Sequence, residues 1–247
     1  MSILLCISTL TIFPKTNTLE IITETSLNAW TFTPRYSIEP FPGDQVFLAN
    51  RLRCSYSFFS NDRISLGVEA GFANRFHFTY FYSYTVWGLD DSDVWFVLNS
   101  GRNTSLLARF RLPTGLYNEG LGIGAYCMEL YIRKTNIWRN SSAYFGYEWI
   151  GANSDKVNYG DKIRLGVEIN NWLRVSSYYA FADQGTYYSL YDSPSFALET
   201  SLFKNFRLMK GYTTQVIFSQ TLLGRDIPIS TSISLRISGK PRETKQR

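Results

Sequence analysis

The chain has 247 residues, of which 45% are hydrophobic, 17% aromatic and 18% charged, with a mean hydropathy of -0.14 and a net charge of +5. It is rich in aromatic side chains, with 18 Phe, 17 Tyr and 6 Trp, yet its mean hydropathy is that of an ordinary soluble protein. This combination excludes a disordered chain, a collagen-like chain and a bundle of membrane helices, since no stretch after the N-terminus reaches the roughly 18 to 20 apolar residues of a spanning helix. Strands with one apolar and one polar face give the same composition.

The N-terminal segment, residues 1–16, is predicted to be separate from the folded domain. Its apolar stretch from Ile3 to Phe13 has the length of the hydrophobic region of a signal peptide. It differs from a typical signal peptide because no Lys or Arg precedes the stretch and no Ala-x-Ala site follows it. We predict one domain over residues 17–238, followed by a basic tail, residues 239–247, which is a candidate contact for a periplasmic partner.

Residues 63–72 alternate strictly between two kinds of side chain. Arg63 and Glu69 fall on one side, with Ser and Gly between them, and Leu66, Val68 and Phe72 fall on the other. A period of two predicts a β-strand. The same alternation recurs along the chain, and no segment has the period of a helix. The sequence therefore predicts an all-β fold.

About twelve strands are predicted. One of them, residues 62–86, is predicted as a single long strand with Tyr84 on the same face as Phe76; the alternative is that residues 74–88 belong to the loop that follows it. The predicted strands are residues 18–36, 45–59, 62–86, 89–99, 104–113, 122–135, 137–150, 160–170, 172–184, 193–203, 205–221 and 227–238.

Short and long connections alternate between these strands. The short turns are predicted at residues 60–62, 100–103, 135–136, 170–171 and 204–205. The longer links are predicted at residues 39–44, 87–89, 113–121, 151–160, 183–194 and 223–228. Tight turns at one end and long loops at the other are typical of an outer-membrane barrel, and an even number of strands places both ends of the barrel on the periplasmic side.

The apolar faces predict the outer wall of a transmembrane up-and-down antiparallel β-barrel in contact with outer-membrane lipid. Aromatic residues near strand ends, among them Trp30, Tyr147 and Trp149, are candidates for the interfacial belts. The alternative is a soluble barrel or sandwich with the same faces reversed. Against it, twelve strands at ~4.8 Å spacing and ~40° tilt give a radius of about 12 Å, which is too wide for a simple apolar core.

The opposite faces of the strands carry charged residues and predict the lining of the pore. Arginines near the periplasmic strand ends predict a cationic collar that attracts anions; the alternative is that inward glutamates pair with them and brace the barrel. The collar consists of Arg53, Arg63, Arg133, Arg174, Arg207 and Arg236. The other predicted lining residues are Glu69, Arg109, Arg111, Glu129, Glu148, Glu168 and Glu199.

The long link at residues 183–194 is the strongest candidate for an external gate. It contains Tyr187, Tyr188 and Tyr191, which place three aromatic side chains in one loop. We predict that this loop controls entry from outside the cell.

Enzyme, metal and cofactor signatures are missing from the sequence. The single histidine, His77, excludes a site with two His ligands, and its neighbours do not form the motif of an outer-membrane phospholipase. The glycine-rich stretch at residues 120–124 is not followed by a predicted helix, so it does not indicate a phosphate-binding loop. Cys54 and Cys127 are predicted to point to opposite faces. Lys and Arg are scattered, which argues against a nucleic-acid partner.

Three segments carry a family resemblance. They are residues 88–93, residues 112–115 and residues 120–126, in this order and each next to an alternating strand. In these features the chain resembles the outer-membrane barrels of the phenol-degradation MetA-pathway family, which are transporter-like proteins related to FadL-type channels. The resemblance implies a channel for small, aromatic molecules.

The predicted function is passage of small molecules, aromatic or anionic, across the bacterial outer membrane through a lumen lined by Arg and Tyr. The protein is expected not to be an enzyme and to need no cofactor. The alternative is a structural barrel that anchors or sheathes a multiprotein complex and whose lumen is plugged or filled by a partner.

Overall fold

The computed structural model of the protein describes residues 19–32, 37–40, 46–79, 82–101, 103–115, 121, 125–138, 140–151, 161–181, 194–209, 212–225 and 227–239. For residues 32 and 207–209 it describes the backbone alone. Within these ranges the chain forms strands, turns and loops. No helix in the described part of the chain is long and apolar enough to cross a membrane.

The described residues form 14 strands. They are β1 (Leu19–Phe32), β2 (Ile38–Pro40), β3 (Val46–Ser60), β4 (Ile64–Phe78), β5 (Ser83–Leu89), β6 (Ser92–Asn99), β7 (Thr104–Leu112), β8 (Cys127–Thr135), β9 (Ser142–Ile150), β10 (Lys162–Ile169), β11 (Leu173–Ala180), β12 (Ser195–Met209), β13 (Tyr212–Arg225) and β14 (Ile227–Gly239).

Twelve of these strands form a closed antiparallel barrel. Successive strands pair with each other, and β14 pairs with β1 from Leu19 opposite Gly239 to Phe32 opposite Ile227. Closure leaves no unpaired sheet edge around the wall, as a membrane requires. The predicted all-β fold, up-and-down antiparallel order and number of strands are confirmed.

The two remaining strands extend the wall at the end of the longer connections. The short β2 pairs with β1, and β5 pairs with the second half of β4 while β6 pairs with its first half. Asp90 and Asp91 separate β5 from β6. Because Phe72 lies opposite Leu89 whereas Glu69 lies opposite Asp93, the β5–β6 side has one more residue than β4 across this break. This is a β-bulge, and the alternation of inward-facing and outward-facing residues changes phase across it.

The turn predictions were right in part. The turns between β3 and β4, between β6 and β7 and between β10 and β11 are confirmed. The turn predicted at residues 204–205 is wrong, because β12 continues to Met209 with Lys204 opposite Val216. The long link predicted at residues 223–228 is also wrong, since β13 ends at Arg225 and β14 begins at Ile227.

The single strand predicted over residues 62–86 is wrong. The chain reverses direction after β4, where the Thr79 amide donates to the Tyr82 carbonyl at 2.9 Å. Residues after the reversal pair back onto β4, with Tyr84 opposite His77. Cross-strand partners share a face, so Tyr84 faces the inside of the barrel and not the outside with Phe76.

Side chains on the two faces of the wall differ in kind. Large apolar side chains are exposed on the outside, among them Phe72, Phe110 and Leu165, while Arg, Asp and Glu are buried on the inside. The predicted opposite orientation of the two strand cysteines is confirmed, since Cys54 is exposed and Cys127 is buried. This polarity is the reverse of a soluble barrel and fits a wall that faces lipid.

Glycines on the inner face make room for aromatic rings from the neighbouring strand. A Cβ added to Gly67 would overlap the Trp95 ring, and one added to Gly146 would overlap the Tyr131 ring. Trp95 and Tyr131 pack with Val97 and Leu107 into an apolar cluster inside the barrel, with Tyr144 packed against it. This cluster lies toward the end with the short turns.

Candidate functional site

The inner wall contains most of the residues predicted to line the pore. Arg53 is half-buried. Two arginines do not join this set: Arg63 is exposed in the turn before β4, and the side chain of Arg207 lies outside the described residues. The three loop tyrosines, Tyr187, Tyr188 and Tyr191, also lie outside them. The predicted lining residues that are buried on the inner wall are Glu69, Arg109, Arg111, Glu129, Arg133, Glu148, Glu168, Arg174, Glu199 and Arg236.

One group of ion pairs is centred on Asp93 of β6. Arg111 donates from Nε to Asp93 at 3.0 Å and from its terminal nitrogen to Glu129 of β8 at 3.2 Å. Arg109 lies 3.9 Å from both carboxylates. All four side chains are at least nine-tenths buried, so opposite charges on three strands neutralise each other in a confined space.

The same group continues across β3 and β4. Arg53 donates to Glu69 at 2.6 Å and to Asp90 at 3.2 Å, and it lies 3.8 Å from Asp93. Arg51 lies 3.4 Å from Asp90. The bulge between β5 and β6 therefore supplies a carboxylate to two arginines of β3.

Further ion pairs continue around the wall on the strands that follow β8. Glu148 of β9 lies between Lys162 and Arg164 of β10, at 3.5 Å and 3.4 Å. Arg174 donates to Glu168 at 2.9 Å. We call the whole ion-paired set the charged layer. Its remaining pairs are Arg133 with Glu168 at 3.7 Å and Arg236 with Glu20 at 2.9 Å.

Each predicted collar arginine whose side chain is described on the inner wall pairs with a carboxylate. Arg53 contacts Glu69, and Arg236 contacts Glu20. Arg133 and Arg174 both contact Glu168. This pairing supports the bracing hypothesis, since paired charges attract a passing anion less than a ring of unpaired cations does.

Several members of the charged layer were missed in the sequence. Asp90 and Asp93 lie at a bulge, where the alternation is interrupted, so their orientation could not be predicted. Lys162 and Arg164 alternate in phase with Glu168 in a predicted strand, and this signal could have identified them. Glu20 was not identified because polar and apolar residues alternate only weakly along the first predicted strand.

A cluster of aromatic side chains lies on the inner face at the end with the longer connections. We call Phe47, His77, Tyr82 and Tyr84 the aromatic cluster. The rings of Phe47 and His77 stack at 4.3 Å, and His77 Nδ1 and the Tyr84 hydroxyl form a hydrogen bond of 2.5 Å. Arg75 lies over the Phe47 ring at 5.7 Å.

The two tyrosines form the exposed part of the aromatic cluster. Their rings are stacked at 6.0 Å, and 56% of Tyr82 and 47% of Tyr84 is exposed, whereas Phe47 and His77 are buried. The two phenol rings therefore lie between the loop end of the barrel and the charged layer.

The comparisons with known proteins show outer-membrane barrels. The COG4313 outer membrane channel from Pseudomonas putida F1 has a TM-score of 0.63 at 15% identity, covering 92% of this chain and 96% of that one. The translocator domain of the autotransporter NalP from Neisseria meningitidis has a TM-score of 0.64 at 9% identity, covering 95% and 91%. No protein-family model and no curated protein matches the sequence.

These similarities, together with the lipid-facing wall, establish the fold as that of a bacterial outer-membrane β-barrel. A wall with exposed apolar side chains outside and ion pairs inside is stable only where the outside contacts hydrocarbon. The protein is therefore placed in the outer membrane. The finer resemblance to the MetA-pathway family stays a prediction.

Proposed function

We propose that the protein is an outer-membrane channel for small molecules. The observation that carries this proposal is the charged layer, since the inner wall places many ionisable side chains along a path that crosses the membrane. The channel fold of the Pseudomonas putida relative supports the same proposal.

The charged layer is the proposed constriction of this channel. Arg111, Glu129 and Glu148 are each only 2% exposed, which means that side chains fill the lumen around them. Solutes then pass by displacing ion-paired side chains. Because the pairs are close to neutral as a set, we expect weak selectivity between anions and cations.

Flux through reconstituted protein tests the proposal. The double variant Arg111→Ser with Glu129→Ser removes one positive and one negative charge, so the net charge of the charged layer is unchanged and Arg109 still lies 3.9 Å from Asp93. We expect planar-bilayer conductance and liposome swelling to be measurable for the wild type and larger for the double variant. The control is Leu130→Ala on the lipid-facing side of β8, which leaves the lumen unchanged. No flux through either the wild type or the double variant would overturn the channel.

A sealed structural barrel is the second candidate, and the burial of the charged layer favours it. In that case neither protein passes solute, and the wild type purifies from membranes with a fixed partner. Reversal potentials in a salt gradient separate the two hypotheses for the arginines: a strong anion preference means that the collar acts as a selectivity ring, and a potential close to zero means that it braces the wall.

We propose further that aromatic solutes are preferred, on the basis of the aromatic cluster. Benzoate and cyclohexanecarboxylate carry the same charge and differ in whether the ring stacks on tyrosine. We expect faster flux of benzoate, and loss of that preference in the double variant Tyr82→Ala with Tyr84→Ala. Equal flux of both probes through the wild type would contradict the preference.

A further inference from the structure

The outer wall contains a groove that the channel function does not use. It lies on the lipid-facing side of β7, β8 and β9, near their ends at the longer connections, and has a volume of 430 Å³. Its size is within the range of sites that hold small ligands. The residues that line it are Phe110, Arg111, Leu112, Tyr126, Cys127, Met128, Tyr147 and Trp149, of which Arg111 and Cys127 are buried on the inner face of the wall.

The groove is formed by a row of side chains across three strands. Met128 lies opposite Phe110 on one side and opposite Trp149 on the other. The two rings are 48% and 45% exposed, so they stand out from the wall. Met128 is a thinner and more flexible side chain, and it forms the floor between them.

Gly151 widens the groove on the Trp149 side. A Cβ added to Gly151 would lie 2.9 Å from Cη2 of Trp149 and 3.3 Å from its Cζ3. Since Gly151 has no side chain, the indole lies close over it. A larger residue at this position would move the ring.

The chemistry of the lining is apolar along the groove and polar at one end. Phe110, Leu112 and Met128 offer no hydrogen-bonding side chain. At the loop end, the Tyr147 hydroxyl donates to Asp161. The strands β7 to β9 are nine residues long, which is about the length that spans a bilayer, so the groove begins near the membrane surface and runs into the hydrocarbon.

We propose that this groove binds one acyl chain of a membrane lipid. The occupant follows from the position of the groove, because it is continuous with the apolar wall that faces the hydrocarbon of the membrane. Filling the space between Phe110 and Trp149 gives dispersion contacts on three sides of the chain, whereas the flat wall gives them on one.

Photocrosslinking of the full chain in vesicles tests the proposal. The probe is a phosphatidylethanolamine with a diazirine in the middle of one acyl chain, and adducts are mapped by peptide mass. We expect excess labelling of the peptides that contain Leu112 and Met128 over the peptide that contains Leu165, an exposed residue on the flat wall of β10. Uniform labelling around the barrel would overturn the proposal.

Two variants act on the groove from different sides. Met128→Trp fills the floor, and Gly151→Val pushes the indole of Trp149 back over it; in both we expect the excess labelling to fall to the level of the flat wall. The matched control, Leu165→Trp, adds the same side chain elsewhere and leaves the excess unchanged. Excess labelling that persists in both variants would contradict the proposal. A crosslinked pair of barrels in place of a lipid adduct would contradict it as well. Neither result depends on solute flux.

Discussion

At the scale of single residues, Asp93 has the most demanding position in the charged layer. Its carboxylate faces Arg111 at 3.0 Å, Arg53 at 3.8 Å and Arg109 at 3.9 Å, and the residue is 1% exposed. Three guanidiniums therefore lie within 4 Å of this one carboxylate. Loss of its charge therefore leaves an excess of positive charge in a confined space.

For this reason we expect Asp93→Asn to lower the free energy of unfolding by about 3 to 5 kcal/mol, the usual cost of breaking a buried ion pair. Urea titration of the folded barrel in vesicles measures it. Glu39→Gln, at an exposed position in β2, serves as the control and leaves the midpoint unchanged. A stable Asp93→Asn variant would show that water reaches the charged layer.

A second residue-scale prediction concerns the glycine under Tyr131. In Gly146→Ala the new methyl group would overlap the Tyr131 ring, so the ring must shift. We expect a loss of about 1 to 3 kcal/mol, as for other overpacked sites, measured by the same urea titration. Gly101→Asn is the contrasting change: Gly101 has a φ of +72°, which Asn adopts readily, and no atom lies within 4 Å of its added Cβ. Equal stability of the two variants would contradict the packing.

The alternation of residue types indicated the inner face for Arg111 and Glu129, but it could not reveal which charges meet. Arg109, not Arg111, lies directly opposite Glu129, and the shorter contact is the diagonal one from Arg111. Partners depend on the register between strands and on side-chain length. The period of two within a single strand gives no information about the register or about how far a side chain reaches.

At the scale of elements, the turn between β10 and β11 shows why some turns are visible in a sequence. Asn170 and Asn171 have φ values of +48° and +58°, and the Trp172 amide donates to the Ile169 carbonyl at 3.1 Å. Positive φ at both central positions is the mark of a type I′ turn. Asn is one of the few residues that accept this conformation. The pair therefore predicts the turn through its own chemistry.

The wrong turn at residues 204–205 has the opposite cause. Lys204, Asn205 and Phe206 are all exposed, so β12 shows no alternation there and the sequence resembles a loop. Pairing with β13 holds the segment extended, with Asn205 opposite Gln215. Tertiary pairing decides the structure where local preference is weak.

We expect Asn171→Val to destabilise the β10–β11 hairpin by about 1 to 3 kcal/mol, because a β-branched residue is strained at positive φ. Asn171→Gly, which removes the strain, is expected to fold like the wild type. The rate of refolding into vesicles and the urea midpoint both report the difference. If both variants behave alike, the conformation of the turn is not the determinant of this hairpin.

At the scale of the whole molecule, the orientation of the wall can be tested with one added charge. Leu165 is 53% exposed in the middle of β10. An arginine there is expected to cost about 2 to 4 kcal/mol in a lipid-facing wall, and about 0 to 1 kcal/mol close to the membrane surface. Ile137→Arg, in the turn between β8 and β9, is the surface control. Folding in vesicles over a urea series measures both, and an equal small effect would mean that the outer face meets water.

The antiparallel order and the number of strands could be predicted because each crossing is local and repeats one pattern. Closure of the barrel could not be deduced in the same way, since Leu19 and Gly239 pair across almost the whole chain. It followed from the argument that an open edge in hydrocarbon is too costly.

The break at Asp90 and Asp91 keeps two halves of one wall segment correctly oriented. Above it the even-numbered residues Tyr84 and Gly88 face the interior, and below it the odd-numbered residues Trp95 and Val97 do. Without this bulge the same residues would pair with β4 as one regular strand, and Trp95 would be directed at acyl chains and Phe96 at the ion pairs. Deleting one aspartate would remove the extra residue, so a regular strand would again place Leu89 outside and Asp93 inside. The bulge thus admits a second aspartate between β5 and β6 without turning either half of the segment over.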